Sequence, residues 1–236
     1  MYDPIDLSKK TEDIVVTHSL KKYYRFRPTG FYGGIATADT VGCNLRCRFC
    51  WSGNSVWCAK ETGEFYSPEQ VVEKLHTIAE SKGYQQLRIS GGEPTIGKDH
   101  LLCLLELLNT KYEFILETNG ILLGYDPTYV KSLSVFPQVH VRVCLKGADA
   151  EEFSLLTGAK QGFEYQLKAL QFLHESHVRF NIALVCIHPE KKQRLFQRLH
   201  EMNLESVMIE EEEITLYPLV RKRLQEEQML HYFERQ

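Results

Sequence analysis

Three cysteines, Cys43, Cys47 and Cys50, lie within eight residues in the segment CNLRCRFCW. An iron–sulfur cluster with four irons usually takes four cysteine ligands, so three cysteines leave one iron open to a substrate or a cofactor. Phe49, inside the second gap, favours this interpretation because an apolar shell around a cluster tunes its potential. The spacing therefore predicts an open [4Fe–4S] cluster held by these three thiolates.

Zinc is the alternative metal for the same cysteines. A structural zinc site normally closes with four ligands, often as cysteines paired two residues apart. The fourth ligand would then be Cys58 or a histidine, and His18 and His76 are the nearest histidines in the sequence. A third interpretation is that the cysteines are unrelated to one another and bind no metal.

The composition excludes several classes of protein. The 236 residues include 43% apolar and 25% charged residues with a net charge of -3, which is typical of a soluble globular protein. No apolar run approaches the ~18 residues of a membrane span. The N-terminal segment MYDPIDLSKKTEDIVV lacks the apolar core of a signal peptide. We therefore expect a cytoplasmic protein with no membrane partner, in which the seven cysteines are reduced.

Strand-like and helix-like segments alternate along the chain and must position these residues. The predicted strands include QQLRIS, YEFILETNG, QVHVRVCLKG and VRFNIALVCI, with predicted helices between them. The clearest helix begins after Ser67, has Pro68 at its first position and ends at Gly83. About six strand–helix units result, which predicts an α/β fold with a parallel sheet and outer helices.

The unusual segments of the sequence fall at one predicted edge of this sheet. The cysteine segment, GGEPT, ETNG, LKG and IHP each stand at the carboxyl end of a predicted strand or in the loop after it. In parallel α/β folds, sites assemble at this edge. We therefore expect these segments to meet in one site.

The absence of a low-complexity linker predicts one compact domain. Residues 1–32 are an N-terminal extension, residues 33–216 are the core, and residues 217–236 add a C-terminal helix over its open side. The segment KKYYRFR, residues 21–27, suits phosphate or RNA contact, but we interpret it as a solvated loop that packs its tyrosines. The glutamates at 210–213 are interpreted as a solvated run, with docking of a basic partner as the alternative.

The cysteine segment resembles the hallmark of the radical S-adenosylmethionine (SAM) superfamily, C-x3-C-x-aromatic-C. The segment GGEP, Gly91–Pro94, resembles the second signature of that superfamily. LETNG and CLKG are similar to segments of its glycyl-radical-enzyme activating branch. The resemblance runs from about Gly33 to Pro189 and implies a partial (β/α)6 TIM-like barrel with the cofactors at the carboxyl ends of the strands.

The resemblance also implies roles for particular residues. Cys43, Cys47 and Cys50 are implied to hold a [4Fe–4S] cluster whose open iron chelates the methionine amino and carboxylate groups of SAM. The implied SAM-binding residues are Phe49, Gly91, Gly92, Glu93, Pro94, Asn119, Lys146 and His188. The glycines let the backbone approach the ligand closely, and Lys146 is implied to meet the carboxylate of SAM.

Each of these residues has a structural alternative. The Gly-Gly and Asn-Gly loops can be plain turns, Phe49 a core residue, Lys146 a solvated lysine and His188 a turn histidine. Two positions also depart from the activating branch, because the acidic residues that bind a monovalent cation there correspond here to Glu117 and the neutral thiol Cys144. The sequence has no second group of cysteines for a further cluster.

The activity implied is reductive cleavage of SAM to a 5′-deoxyadenosyl radical that abstracts hydrogen from a substrate. A protein partner, as for activating enzymes, is the first expectation for that substrate, and a tRNA or a small metabolite is the alternative. The expected electron donor is a flavodoxin- or ferredoxin-like reductant. A non-catalytic iron–sulfur or zinc module is the interpretation from a different class, but it gives no reason for GGEP.

Overall fold

The computed structural model describes residues 1–234, in which strands and helices alternate. The strands are β1 (Val16–Thr17), β2 (Leu20–Thr29), β3 (Ile35–Thr40), β4 (Glu64–Tyr66), β5 (Gln86–Gly91), β6 (Glu113–Thr118), β7 (Val139–Lys146), β8 (Arg179–Val185) and β9 (Ile209–Glu211). The helices are α1 (Pro4–Val15), α2 (Asn54–Trp57), α3 (Pro68–Lys82), α4 (Lys98–Leu107), α5 (Ile121–Tyr125), α6 (Pro127–Leu133), α7 (Ala150–Thr157), α8 (Phe163–Glu175), α9 (Lys192–Glu201) and α10 (Pro218–Glu226). Short 3-10 turns occur at Phe31–Gly33, Pro189–Lys191 and Leu230–Tyr232.

One nine-stranded sheet organises the molecule in the order β1-β2-β3-β5-β6-β7-β8-β9, with β4 paired to β2. Strands β3, β5, β6, β7, β8 and β9 are parallel to one another, which confirms the predicted strand–helix units. Strands β1, β2 and β4 extend the sheet in antiparallel fashion. The α/β partial barrel predicted from the sequence is therefore confirmed.

Helix α3 shows why the sequence signals of the core units are reliable. The Ser67 hydroxyl oxygen accepts a hydrogen bond from the N–H of Gln70, and the side-chain oxygen of Gln70 accepts one from the N–H of Ser67, which caps the first turn. Gly83 ends the helix in the left-handed conformation, at φ 69°. The buried face of the helix consists of Pro68, Val71, Val72, Leu75 and Ala79.

The two faces of the sheet differ in chemistry because successive strand residues point to opposite sides. The outer face, under the helices, carries apolar side chains such as Ala38, Ile89, Leu116, Val143 and Leu184. The opposite face, here called the concave face, is polar. It includes Arg25, Arg27, Thr37, Asp39, Arg88, Ser90, Glu117, Arg142, Cys144 and Lys146.

The segment KKYYRFR is not the solvated loop expected from the sequence. It forms most of β2, which pairs with both β3 and β4. Lys21, Lys22 and Tyr23 are buried. The prediction is wrong because the two ammonium groups are satisfied by backbone carbonyls of distant loops, which no local pattern reveals.

The acidic run at 210–213 is not simply a solvated face. Glu210 and Glu211 belong to β9, which begins at Ile209. The carboxylates of Glu210 and Glu212 each lie 2.8 Å from Nη2 of Arg142 on the concave face. A buried guanidinium therefore accounts for two of the four glutamates.

The C-terminal helix expected at 217–236 comprises α10 and the turn at Leu230–Tyr232, and residues 235 and 236 lie outside the described residues. Val220, Leu224, Met229 and Phe233 are buried against the rest of the molecule. None of the helices described in residues 1–234 has the length and apolarity needed to cross a membrane.

Candidate active site

A cavity of about 750 Å³ opens at the carboxyl edge of the parallel strands. Cys43, Cys47 and Cys50 line one part of it, and side chains of the concave face line the rest. Of the residues predicted to bind SAM, six line the same cavity: Phe49, Gly91, Gly92, Glu93, Asn119 and Lys146. The edge at which the sequence concentrates its unusual segments is thus one continuous site.

The cysteine loop follows β3 directly and is held by backbone hydrogen bonds. The N–H of Gly42, at φ 86°, donates to the carbonyl of Ser55 at 2.8 Å as the chain turns into the loop. The N–H of Arg48 donates to the carbonyl of Leu156 at 2.9 Å, which anchors the middle of the loop to α7. These contacts present the three sulfur atoms on one wall of the cavity.

Burial controls the protonation of these thiols. It raises the pKa of Cys43 well above its usual value and that of Cys47 to about 12, although the charge of Lys146 opposes the rise at Cys47. Both thiols are therefore neutral at ordinary pH. Because the thiolate is the metal-binding form, binding of a metal centre displaces their protons.

The fourth ligands that a zinc site would need do not lie in this cavity. Within residues 1–234, no three histidine, cysteine or carboxylate side chains are grouped so that they could hold a single metal ion. A structural zinc ion needs four ligands at about 2.0–2.3 Å, and Cys58, His18 and His76 are not among the cavity-lining residues. The assignment of the three cysteines to an open cluster stays a prediction at this point.

The GGEP loop packs directly against the end of β3. The N–H of Gly92 donates to the carbonyl of Thr40 at 2.9 Å, and the N–H of Glu93 donates to the carbonyl of Gly42 at 2.7 Å. A Cβ atom at Gly92 would collide with that same Gly42 carbonyl oxygen. Gly92 is therefore required for close approach between this loop and the start of the cysteine loop, independently of any ligand.

Glu93 is buried, and its carboxylate already accepts several hydrogen bonds. Oε1 accepts from the hydroxyl groups of Thr95 and Thr118, both at 2.6 Å. Oε2 accepts from the N–H of Asn119 at 2.9 Å. These bonds tie the GGEP loop to the end of β6, so Glu93 positions both segments, while its direct contact with SAM stays a prediction.

Lys146 ends β7 with its ammonium 5.6 Å from the centroid of the Phe49 ring. Burial alone would lower the pKa of Lys146, but the acidic groups around it, among them the carboxylate of Glu212, outweigh burial and hold that pKa above its usual range. A charged ammonium on the cavity wall can bind the carboxylate of a ligand. Its surroundings favour the predicted role over a solvated lysine.

Two predicted SAM-binding residues do not line the cavity. Nδ1 of His188 lies 3.3 Å from the carboxylate of Glu190, and its ring packs on Tyr232 with the centroids 5.5 Å apart. These contacts are those of a turn histidine, and the assignment of His188 to SAM stays a prediction. The carbonyl of Pro94 instead accepts a hydrogen bond from Lys21 at 2.7 Å, inside the fold.

Sequence reasoning did not identify four arginines that line the cavity, namely Arg25, Arg27, Arg88 and Arg142. Arg88 pairs with Glu117 at 3.0 Å, and Arg142 pairs with Glu210 at 2.8 Å. The available signal is a single charged residue in the middle of an otherwise apolar strand, as in QQLRIS and QVHVRVCLKG. Parallel strands buried on both faces normally read as continuous apolar runs.

Curated relatives of the chain include GTP 3′,8-cyclases. The probable GTP 3′,8-cyclase of Archaeoglobus fulgidus is 35% identical over 131 residues, which cover 54% of this chain and 41% of that protein. The GTP 3′,8-cyclase of Helicobacter pylori is 34% identical over 91 residues, or 38% of this chain and 28% of that protein. The chain thus matches less than half the length of these relatives.

Solved structures share the fold, and a family model covers most of the chain. Streptococcus suis SuiB bound to S-adenosylmethionine matches with a TM-score of 0.54 at 18% identity, over 84% of this chain and 44% of that one. Native anSMEcpe with bound AdoMet matches with a TM-score of 0.53 at 20% identity, over 81% and 57%. The model described as the radical SAM superfamily matches residues 38–209. The chain therefore belongs to the radical SAM superfamily, whose cofactors are a [4Fe–4S] cluster and S-adenosylmethionine.

Proposed function

We propose that this chain cleaves SAM reductively at a [4Fe–4S] cluster held by Cys43, Cys47 and Cys50, and that it acts on a small polar metabolite. The observation that carries the proposal is the single cavity of about 750 Å³ that joins the three cysteines to the charged concave face. Small-molecule sites commonly occupy about 300–1,000 Å³. A small substrate on the concave face would share this enclosed volume with SAM.

The residues around the cysteines have distinct tasks in this proposal. The ammonium of Lys146 binds the carboxylate of SAM, and the carbonyl oxygens of Gly91 and Gly92 accept from its amino group. Asn119 donates through Nδ2 to Oδ1 of Asn44 at 2.6 Å, which fixes the side chain beside Cys43. Phe49 supplies an apolar surface for the adenosine part, backed by Phe233 with the ring centroids 5.9 Å apart.

When bound, the cluster and SAM supply a 5′-deoxyadenosyl radical that abstracts hydrogen from the substrate. The protein keeps water away from this chemistry on the cysteine side. Met229 and Phe233 of the C-terminal segment are buried there, and Nη1 of Arg48 lies 3.0 Å from the Met229 sulfur. A flavodoxin- or ferredoxin-like protein is the proposed electron donor.

Similarity favours a small metabolite over a protein partner. The curated relatives described above are GTP 3′,8-cyclases, whereas the first sequence expectation was an activating enzyme for a glycyl-radical protein. The RNA interpretation of KKYYRFR also loses its basis, because Lys21 and Lys22 are buried. GTP is therefore the first substrate to test, and other purine nucleotides follow.

The test is anaerobic reconstitution of the full chain with iron and sulfide, then incubation with dithionite, SAM and GTP. We expect 5′-deoxyadenosine to form, and its yield to increase when a substrate is present. Chromatography with mass detection measures the 5′-deoxyadenosine that forms and, separately, any change in the added GTP. A cluster-loaded protein that forms no 5′-deoxyadenosine with or without nucleotides contradicts the proposal.

A further inference from the structure

Arg25 and Arg27 share one buried carboxylate on the concave face. Nε of each arginine lies 2.7 Å from Oδ2 of Asp39, and Nη2 of Arg27 also lies 3.3 Å from Oδ1. The Asp39 side chain is fully buried, at 0% exposure, whereas those of Arg25 and Arg27 are 43% and 25% exposed. Two guanidinium groups against one carboxylate leave an excess of one positive charge at this edge of the cavity.

The geometry of guanidinium directs the remaining donors. Its five N–H groups form a rigid planar fork, so an edge that binds through Nε leaves another edge facing away. Here the Nε edges point to Asp39 in the sheet, and both arginines line the cavity. Asp39 therefore holds two preorganised guanidinium groups with donors available on the cavity side.

The other two cavity arginines are more fully committed within the fold. Nε of Arg88 donates to the hydroxyl of Thr37 at 3.2 Å, and Nη1 donates to Glu117 at 3.0 Å. Nε and Nη2 of Arg142 both bind Oε2 of Glu210, at 3.0 and 2.8 Å. Nη2 of Arg142 is also 2.8 Å from Glu212. Among the four cavity arginines, Arg25 and Arg27 are thus the pair that shares a single carboxylate.

We propose that Arg25 and Arg27 form a subsite for an oxyanion group, a phosphate or a carboxylate, of the small-molecule substrate. This inference rests on the proposed function, because it places the substrate in the cavity that contains the cysteines. Planar guanidinium forks match the oxygen geometry of both groups and bind them through paired hydrogen bonds. The exposed ring of Phe31, with the Arg88 guanidinium 5.0 Å from its centroid, offers an adjacent surface for a planar part of the same ligand.

The test is calorimetric titration of the cluster-loaded full chain with pyrophosphate and, separately, with malonate. We expect one of the two probes to bind, and the probe that binds identifies the group as phosphate or carboxylate. Arg25→Gln and Arg27→Gln should each weaken binding by about tenfold, as for loss of a charge-assisted hydrogen bond. In each single variant Asp39 keeps one arginine partner, and a thermal melt verifies folding.

Arg179→Gln is the matched control, because Arg179 also pairs with a carboxylate, Glu113 at 3.0 Å, but starts β8 at the opposite edge of the sheet. Its probe affinity should equal that of the wild type. The subsite is overturned if neither probe binds the wild type. It is also overturned if Arg25→Gln and Arg27→Gln bind the probe as tightly as the wild type does. If SAM is cleaved in that case, the proposed function stands without the subsite. Probe binding that needs both arginines, without SAM cleavage, supports the subsite and contradicts the proposed function.

Discussion

The ammonium of Lys21 lies 2.7 Å from the carbonyl oxygen of Pro94 in the GGEP loop. The same nitrogen lies 2.5 Å from the carbonyl oxygen of Ile96, and the side chain is almost completely buried. Burial lowers the pKa of Lys21 to about 7, while the charges of Glu93 and Glu12 oppose that change. A strand outside the parallel core therefore fixes the loop that, by resemblance, faces SAM.

Replacing Lys21 by methionine should weaken SAM binding. Lys21→Met removes the donor from buried carbonyls, each of which costs about 1–3 kcal/mol when unsatisfied. We expect the free energy of unfolding to fall by about 3 kcal/mol and the SAM dissociation constant to rise about tenfold. Chemical denaturation and SAM titration of the cluster-loaded protein measure these two quantities.

Lys22→Met is the matched control for this variant. The ammonium of Lys22 is held in the same way, by the carbonyls of Ala59 at 3.1 Å and Lys60 at 2.7 Å, but these carbonyls do not belong to the GGEP loop. The Lys22→Met variant should have a lower free energy of unfolding than the wild type but the same affinity for SAM. Equal SAM affinity in both variants would show that Lys21 supports only the fold.

Arg223 should protect the cluster. Its Nη1 donates to the carbonyl of Cys50 at 2.8 Å, and its guanidinium lies 4.1 Å from the centroid of the Trp57 ring. Arg223→Gln frees the end of the cysteine loop, so the cluster absorbance should decay several-fold faster in air. The exposed neighbour Lys222, changed to Gln, provides the control. Identical decay of the two variants argues against this role.

Substitution by alanine should have different effects on iron binding at Cys47 and at Cys58. Cys47→Ala removes a cavity-lining thiol that we propose as a cluster ligand, so iron content and 5′-deoxyadenosine formation should both fall to background. Cys58→Ala changes an exposed thiol outside the cavity and should retain both. Iron analysis of the two reconstituted variants measures the difference. Full iron loading of Cys47→Ala would refute the assignment of Cys47 as a ligand.

His100 should make stability depend on pH. Its Nδ1 lies 2.8 Å from the carbonyl oxygen of Ser19 and its Nε2 lies 3.0 Å from the hydroxyl of Tyr23. Burial lowers the pKa of His100 to about 4, from about 6.5 in an unfolded chain. Between these two pKa values the unfolded state binds more protons than the folded state. The free energy of unfolding therefore decreases as the pH is lowered through this window, by up to about 3 kcal/mol.

Denaturation curves at pH values of about 7 and about 4.5 measure this dependence. His100→Gln should show a smaller loss of stability on acidification than the wild type. His174→Gln, at an exposed position of α8, should behave as the wild type does. The same pH dependence in all three proteins would mean that other groups govern acid stability.

Local signals explain which parts of the fold are predictable. The cap at Ser67, the stop at Gly83 and the apolar strands between turns depend on neighbouring residues, and they give the parallel core correctly. The burial of Lys21 depends on carbonyls 73 and 75 residues away, and Glu210 becomes part of the fold through Arg142, 68 residues away. Such long-range compensation is invisible in a local pattern, so β2 and β9 were misjudged.

The same distinction applies to the site. Cys43, Cys47, Cys50 and the GGEP loop were found because their spacing is itself the signal, and the structure brings them together. Arg25 and Arg27 were overlooked because their meaning comes from sharing Asp39 across two strands. His188 does not line the cavity, because Glu152 accepts from its N–H at 2.9 Å and its ring packs on Tyr232.

The two faces of the sheet are held together by different interactions. Apolar contacts under the helices hold the sheet together, whereas the concave face is held by ion pairs such as that of Arg88 with Glu117. Replacing both partners of such a pair leaves no buried charge unpaired and costs little stability. The two partners of an ion pair on the concave face can therefore be replaced together, which changes the chemistry of the cavity. The apolar packing under the helices is not affected by such a replacement.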